Sequence, residues 1–182
     1  MIKGSQPGRL SGVLPFRWDA QSGFTLIELI ITIAIIVIVM KIAIPELQNT
    51  VLAGKLSSYA NNLAASAHLA RSEAIKRNSV VSLCVSADGA SCGTGDWEQG
   101  WIVVAADGSV LQHQQALKTG LKFIETDGKT SIGFRPSGVG NNSAATLKVC
   151  QATPSVGAFE REVRISITGR PTVVKTESGS CS

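Results

Sequence analysis

The sequence predicts an α+β protein in which one long N-terminal helix packs on a β-rich, mostly antiparallel C-terminal domain. Three observations support this prediction: an apolar run over 24–44, apolar residues at helical spacing up to Asn78, and short extended runs after it. A length of 182 residues suits one compact domain plus an accessory element.

The first 23 residues form a basic leader that ends at Gly23. Removing Lys3, Arg9, Arg17 and Asp19 with it reduces the formal net charge from +4 to +2. Bulk charge therefore gives no argument for nucleic-acid binding.

The run from Phe24 to Ile44 is long enough to cross the hydrocarbon core of a bilayer as a helix. Lys41 lies near its end, where the side chain can reach the interface. Glu28 lies near its start, and an acid in such a segment calls for a partner or a function. A secretory signal peptide places its small residues after the apolar stretch, whereas here Gly23 precedes it. An ordinary transmembrane anchor is the alternative, but it does not explain Glu28.

Pro45 removes a backbone donor, so a kink or local unwinding is expected there. The helix then continues over 45–78 with one apolar stripe at spacings of three and four. The stripe consists of Leu52, Leu56, Tyr59, Leu63, Ala67, Ala70 and Ala74.

Residues 79–182 are predicted to form a β-rich domain of hairpins, because glycine, aspartate, asparagine and proline separate short extended runs. The predicted strands are 80–86, 101–105, 109–114, 121–125, 131–134, 146–151, 163–168 and 172–175.

Four cysteines, Cys84, Cys92, Cys150 and Cys181, lie in this domain at spacings unlike those of a zinc site. An even number in an exported domain predicts two disulfides. Neighbourhood in sequence favours Cys84 with Cys92 and Cys150 with Cys181. Three connectivities are open, and free buried thiols are the alternative.

No catalytic residue, cofactor or metal site is predicted, because the sequence lacks GxSxG, HExxH and P-loop motifs. Asp96 and Glu98 would share one face of a strand, but such carboxylates are usually solvated. Trp97 and Trp101 could stack on a ligand, although burial in the core is the favoured role.

The segment Gly23-Phe24-Thr25-Leu26-Ile27-Glu28 resembles the prepilin processing motif of type IV pilins and type II secretion pseudopilins. The resemblance implies that a prepilin peptidase cuts after Gly23 and methylates Phe24. It also implies that Glu28 pairs with the amine of a neighbouring subunit in the filament. Pro45 occupies a position where the family carries proline.

Further segments are similar to the GspH/FimT group of minor pilins and pseudopilins, which implies the pilin fold. They are 71–78, the strand with Cys84, 96–103, 134–138 and 167–170. The resemblance implies a single-pass inner-membrane protein with a periplasmic domain. Its partners would be other pilins or pseudopilins and an inner-membrane assembly platform.

The resulting hypothesis is a minor type IV pilin-like subunit that takes part in pilus assembly, in a priming or tip complex. One alternative is minor pseudopilin H of type II secretion. Another is a FimT-like DNA-binding pilin, in which Arg161, Arg164, Arg170 and Lys175 would form a basic strip that contacts phosphates. The matching stretch Gly169-Arg170-Pro171-Thr172 has the first arginine of the FimT element but not the second, and DNA is not favoured.

Overall fold

The computed structural model describes residues 23–141, 144–153 and 159–181, so all but the last residue of the basic leader lies outside the described part. The chain divides into two compact units, Met1–Ile42 and Ala43–Ser182. The second unit contains all the buried core residues that the structure describes and is called the head below.

One α-helix, α1, spans Leu26–Arg77 and includes Pro45. The backbone therefore stays helical at Pro45, and the local unwinding expected there does not occur. Among the described residues nine strands follow α1. They are β1 Val81–Val85, β2 Gly100–Ala105, β3 Val110–Gln115, β4 Leu121–Glu125, β5 Ser131–Phe134, β6 Gly140–Asn141, β7 Ala145–Gln151, β8 Glu160–Ile165 and β9 Pro171–Thr176.

The strands form two antiparallel sheets, which confirms the predicted fold class. The five-stranded sheet has the order β3-β2-β1-β5-β6, and the four-stranded sheet has the order β4-β7-β8-β9. The predicted strand 163–168 is wrong in position: β8 ends at Ile165 because Gly169 N–H donates to Ser166 O (2.8 Å) and closes a turn. Strand β6 was not predicted.

The core joins α1 to the inner faces of both sheets. The predicted stripe supplies Leu56, Leu63, Ala67, Ala70 and Ala74 as buried residues, while Leu52 and Tyr59 pack at its margin. Ala60, Ala64 and Ser66, which the stripe did not include, are also buried.

Trp101 on β2 links α1 to both sheets. Its indole N–H donates to Ser66 Oγ on α1 (3.0 Å), and its ring meets Phe123 on β4 edge to face, with centroids 5.7 Å apart. Ser66 in turn donates to Asn62 O (2.9 Å), so the buried hydroxyl is used as donor and as acceptor.

Two disulfides, Cys84–Cys92 and Cys150–Cys181, each hold a segment on the outer face of a sheet. The first holds the loop after β1 over the five-stranded sheet, where a Cβ at Gly89 would lie only 2.7 Å from the His113 ring. A covalent link of this kind is worth about 2–4 kcal/mol.

The second disulfide holds the C-terminal tail on the four-stranded sheet. Under the tail, Glu160 is fully buried, and its Oε2 accepts from Ser178 N–H (3.1 Å) and Ser178 Oγ (2.6 Å). Lys148 Nζ donates to Ser178 Oγ at 3.1 Å and also to Ser180 O. The tail is therefore attached by charged groups as well as by sulfur.

Three edge strands of the two sheets carry a feature that opposes further strand pairing. Strand β3 contains one extra residue opposite Val103 and Val104. On β4, Phe123 N–H donates to Glu98 Oε2 (3.3 Å), while β9 begins with Pro171.

Replacing Ser66 with alanine is expected to destabilise the head by about 1–3 kcal/mol, because the buried Trp101 N–H loses its acceptor. Urea unfolding of the head, followed by the fluorescence of Trp97 and Trp101, measures the loss. Ser72→Ala is the control, since Ser72 Oγ contacts only Leu69 O on its own helix (2.9 Å), and a change within about 0.5 kcal/mol is expected. Equal losses in both variants would contradict the role given to Ser66.

The Asp88 carboxylate organises the loop that Cys92 closes. Hydrogen bonds from Ala90 N–H, Ser91 N–H and the Ser91 and Ser86 hydroxyls hold its pKa well below the ordinary value. A lowered folded-state pKa stabilises the loop above the ordinary carboxyl pKa, and this contribution is lost as the pH falls.

We therefore expect the protection of the Ala90 and Ser91 amides from hydrogen exchange to fall between about pH 5 and pH 2, after correction for intrinsic rates. Asp88→Ala should remove this pH dependence, whereas Asp107→Ala in another turn should retain it. Unchanged protection in the parent chain over this range would refute the interpretation.

Candidate assembly segment and head surfaces

The N-terminal part of α1 is apolar and exposed along its whole length. From Leu26 to Ile44 every side chain is exposed, and this stretch is long and apolar enough to span a membrane. Thr32 Oγ1 donates to Leu29 O (2.8 Å), which satisfies its hydroxyl within the helix. Such a surface needs lipid or other protein to cover it.

Thr25 starts this helix as its N-terminal cap. Its Oγ1 accepts from Glu28 N–H (3.2 Å), and its carbonyl accepts from Leu29 N–H (3.2 Å). Phe24 is 83% exposed immediately before the cap, and the space around Gly23 Cα is open. The predicted cleavage point is thus accessible and outside the helix.

Glu28 is an acid on an otherwise apolar surface. Within residues 23–141, 144–153 and 159–181, its carboxylate makes no hydrogen bond or ion pair. An unpaired carboxylate is costly in a lipid environment, so a cationic partner from outside the chain would stabilise it.

The four basic residues considered for DNA contact do not form one strip. In the β8–β9 pairing, Arg161 lies opposite Lys175 and Arg164 lies opposite Thr172. Successive side chains of a strand alternate between its faces, so Arg161 and Arg164 project from opposite faces of the sheet. Because these two arginines are three positions apart on β8, the four basic residues do not line one face of the sheet.

Neighbouring acids reduce the remaining positive potential. Arg164 Nε pairs with Glu162, and Lys175 Nζ lies 2.7 Å from Glu177 Oε1. Arg170 is exposed in the turn before β9, apart from both pairs. This arrangement offers a phosphate backbone no continuous line of cations.

Neither tryptophan offers a free ring face to a ligand. Trp97 is buried and donates through Nε1 to Lys129 O (2.7 Å), and Trp101 is fully buried in the core. The favoured core role is thus observed for both.

Asp96 and Glu98 do not lie on a strand, because Trp97–Gln99 forms a short 3₁₀ helix that Asp96 precedes. Glu98 is used to cap the Phe123 N–H of β4.

Among the described residues, no three His, Cys, Asp or Glu side chains lie where they could share a metal ion. Sequence reasoning missed Glu160, which is buried beneath the C-terminal tail. Its position beside Phe159, at the start of a strand, gave no signal that the tail would cover it.

Two family descriptions match the chain. Type II transport protein GspH matches residues 59–169, and the prokaryotic N-terminal methylation motif matches residues 18–43. The second match includes Gly23, Phe24 and Glu28. A search of curated proteins finds no match to the sequence.

Two crystal structures of the type IV minor pilin FimU of Pseudomonas aeruginosa are similar to the chain. One has 25% sequence identity and a TM-score of 0.54, with 70% of this chain and 98% of that chain covered. The other has 24% identity and a TM-score of 0.56, with 71% and 95% covered. The minor pseudopilin EpsH from the type 2 secretion system of Vibrio cholerae has 16% identity and a TM-score of 0.46, with 66% and 97% covered.

Proposed function

Since the chain belongs to the type II transport protein GspH family and is a minor pilin-like subunit, we propose that it is processed at Gly23 and assembled into a type IV pilus. The observation that carries this proposal is the exposed apolar stretch from Leu26 to Ile44, with Glu28 unpaired near its start. A prepilin peptidase removes residues 1–23 and methylates Phe24. The subunit then takes part in priming the filament or in its tip complex.

Glu28 guides assembly through charge neutralisation. Cleavage after Gly23 creates an α-amino group on Phe24, which is costly in lipid, as is the Glu28 carboxylate. When Glu28 of one subunit meets the Phe24 amine of its neighbour, each charge compensates the other. This pairing sets the axial register between subunits. Thr25 satisfies the backbone N–H of Glu28 as the helix cap, and the carboxylate makes no hydrogen bond or ion pair within the described residues.

We further propose that residues 24–44 cross the inner membrane once and that the head lies in the periplasm. The two disulfides support an oxidising location for the head. Residues 45–78 join the membrane segment to the β-rich domain over 79–182, and Pro45 marks the boundary. An inner-membrane assembly platform and other pilins are the partners.

The likeness to FimU favours a pilus, while the family description favours type II secretion as the second candidate. Neighbouring genes distinguish the two machines. Genes for other minor pilins and a tip adhesin support the pilus, whereas secretion-system core genes support the pseudopilus.

Intact-mass spectrometry of the membrane-extracted protein should give a chain that begins at methylated Phe24. A Gly23→Val variant should keep its leader, because a bulky branched side chain then replaces the glycine before the proposed cut. Gly12→Val, also in the leader, should be processed normally. A parent chain that still carries Met1 in cells with active peptidase would refute the proposal.

Glu28→Gln should lower the amount of subunit in sheared filaments at least ten-fold, because one buried charge is left unpaired at a cost of about 3–5 kcal/mol. Quantitative immunoblots of the filament and membrane fractions measure the effect. Glu46→Gln removes an exposed acid after Pro45 and should leave incorporation unchanged. Equal incorporation of the two variants would exclude a specific role for Glu28.

A further inference from the structure

Three exposed aliphatic side chains of the head lie on neighbouring segments, one near the end of α1 and two in turns. Ile75, Val139 and Ile167 are 51%, 44% and 71% exposed. Single exposed apolar residues are ordinary on protein surfaces, but a contiguous group marks an interaction site. These three residues are called the distal patch.

Three contacts place the segments that carry the patch next to one another. Arg71 Nε on α1 donates to Gly138 O (3.0 Å), and a Cβ at Gly138 would lie 3.0 Å from Ile75 Cδ1. Gly140 N–H donates to Ile167 O (3.2 Å). The segment around Val139 therefore lies between the last turns of α1 and the turn after β8.

Two tight turns hold the patch in shape. Gly138 N–H donates to Arg135 O (2.8 Å), and Gly169 N–H donates to Ser166 O (2.8 Å). Both glycines have positive φ, and a Cβ at Gly169 would lie 2.6 Å from Gly138 O. Because the turns pack this closely, the patch would lose little conformational entropy when a partner binds.

The border of the patch is basic. Arg71 contacts Gly138 directly, and Arg170 follows Gly169 on the exposed side of its turn. In the described part of the chain neither guanidinium forms an ion pair, whereas Lys76 and Arg77 on the same helix both pair with Glu73. A partner that brings carboxylates to this border would compensate the two arginines.

The patch lies far along the head. Ile75 is 32 residues beyond Ala43 on α1, which corresponds to about 48 Å of helix. A surface at this end can reach a neighbour that is displaced along the direction of α1.

We propose that the distal patch docks the head of another pilin-like subunit, which presents aliphatic side chains bordered by carboxylates. The proposal rests on the proposed function, because it requires the chain to enter a filament. A protein partner fits better than DNA, since the centre of the patch is aliphatic and a phosphate backbone gains nothing from it.

The test uses the full chain in the cells that express it. Ile167→Ser and Arg170→Glu should each lower its amount in sheared filaments at least five-fold, with the membrane pool and the melting temperature unchanged. Val110→Ser, an exposed aliphatic residue on β3, and Lys118→Glu, an exposed lysine before β4, are the matched controls and should have no effect. Normal incorporation of Ile167→Ser would overturn the proposal for the patch. The proposed function would still be supported in that case, because the parent chain would be present in filaments. A parent chain absent from filaments would instead overturn the proposed function.

Partner chemistry is tested by a photo-reactive phenylalanine derivative at position 167. The expected adduct, identified by mass spectrometry, is a pilin-like subunit joined at an aliphatic residue next to Asp or Glu. An adduct with lipid or with a basic surface, or no adduct, would overturn the proposal. So would a salt-sensitive gel shift of the full chain with DNA that Arg170→Glu abolishes and Ile167→Ser retains.

Discussion

The head depends on how one buried polar group is satisfied. The Trp101 indole brings a large apolar ring into the core together with an N–H that requires an acceptor there. Ser66 supplies the acceptor from α1, and Phe123 supplies an edge-to-face contact from the other sheet. A single side chain therefore contacts the helix and both sheets within the head.

Much of the fold could be predicted because its elements follow local rules. Spacings of three and four identified the buried face of α1 from Leu56 to Ala74, and turn residues separated most strands close to their observed bounds. The apolar stretch with Glu28 was also visible, since a charge in such a run is rare enough to stand out. Features that depend on a single segment of the chain could therefore be predicted from the sequence.

What could not be predicted depends on contacts between distant segments. Ser66 resembles any polar residue on a helix until Trp101 is placed against it, and Glu160 resembles a solvated acid until the C-terminal tail covers it. Arg161 and Arg164 looked like one basic surface because the predicted strand began between them, whereas β8 contains both and places them three positions apart, on opposite faces. Contacts between distant segments and the register of strand pairing decide where these side chains lie, and the pattern of residues along the sequence does not specify either.

The features at the sheet edges matter when many subunits are crowded together. Subunits that share a membrane or a filament hold their heads at enormous local concentration, which is the condition under which exposed strands fuse into aggregates. The extra residue in β3, the Glu98 cap on β4 and Pro171 at the start of β9 oppose that fusion. Crowded heads are then left to meet through their side-chain surfaces and not by pairing of these strands.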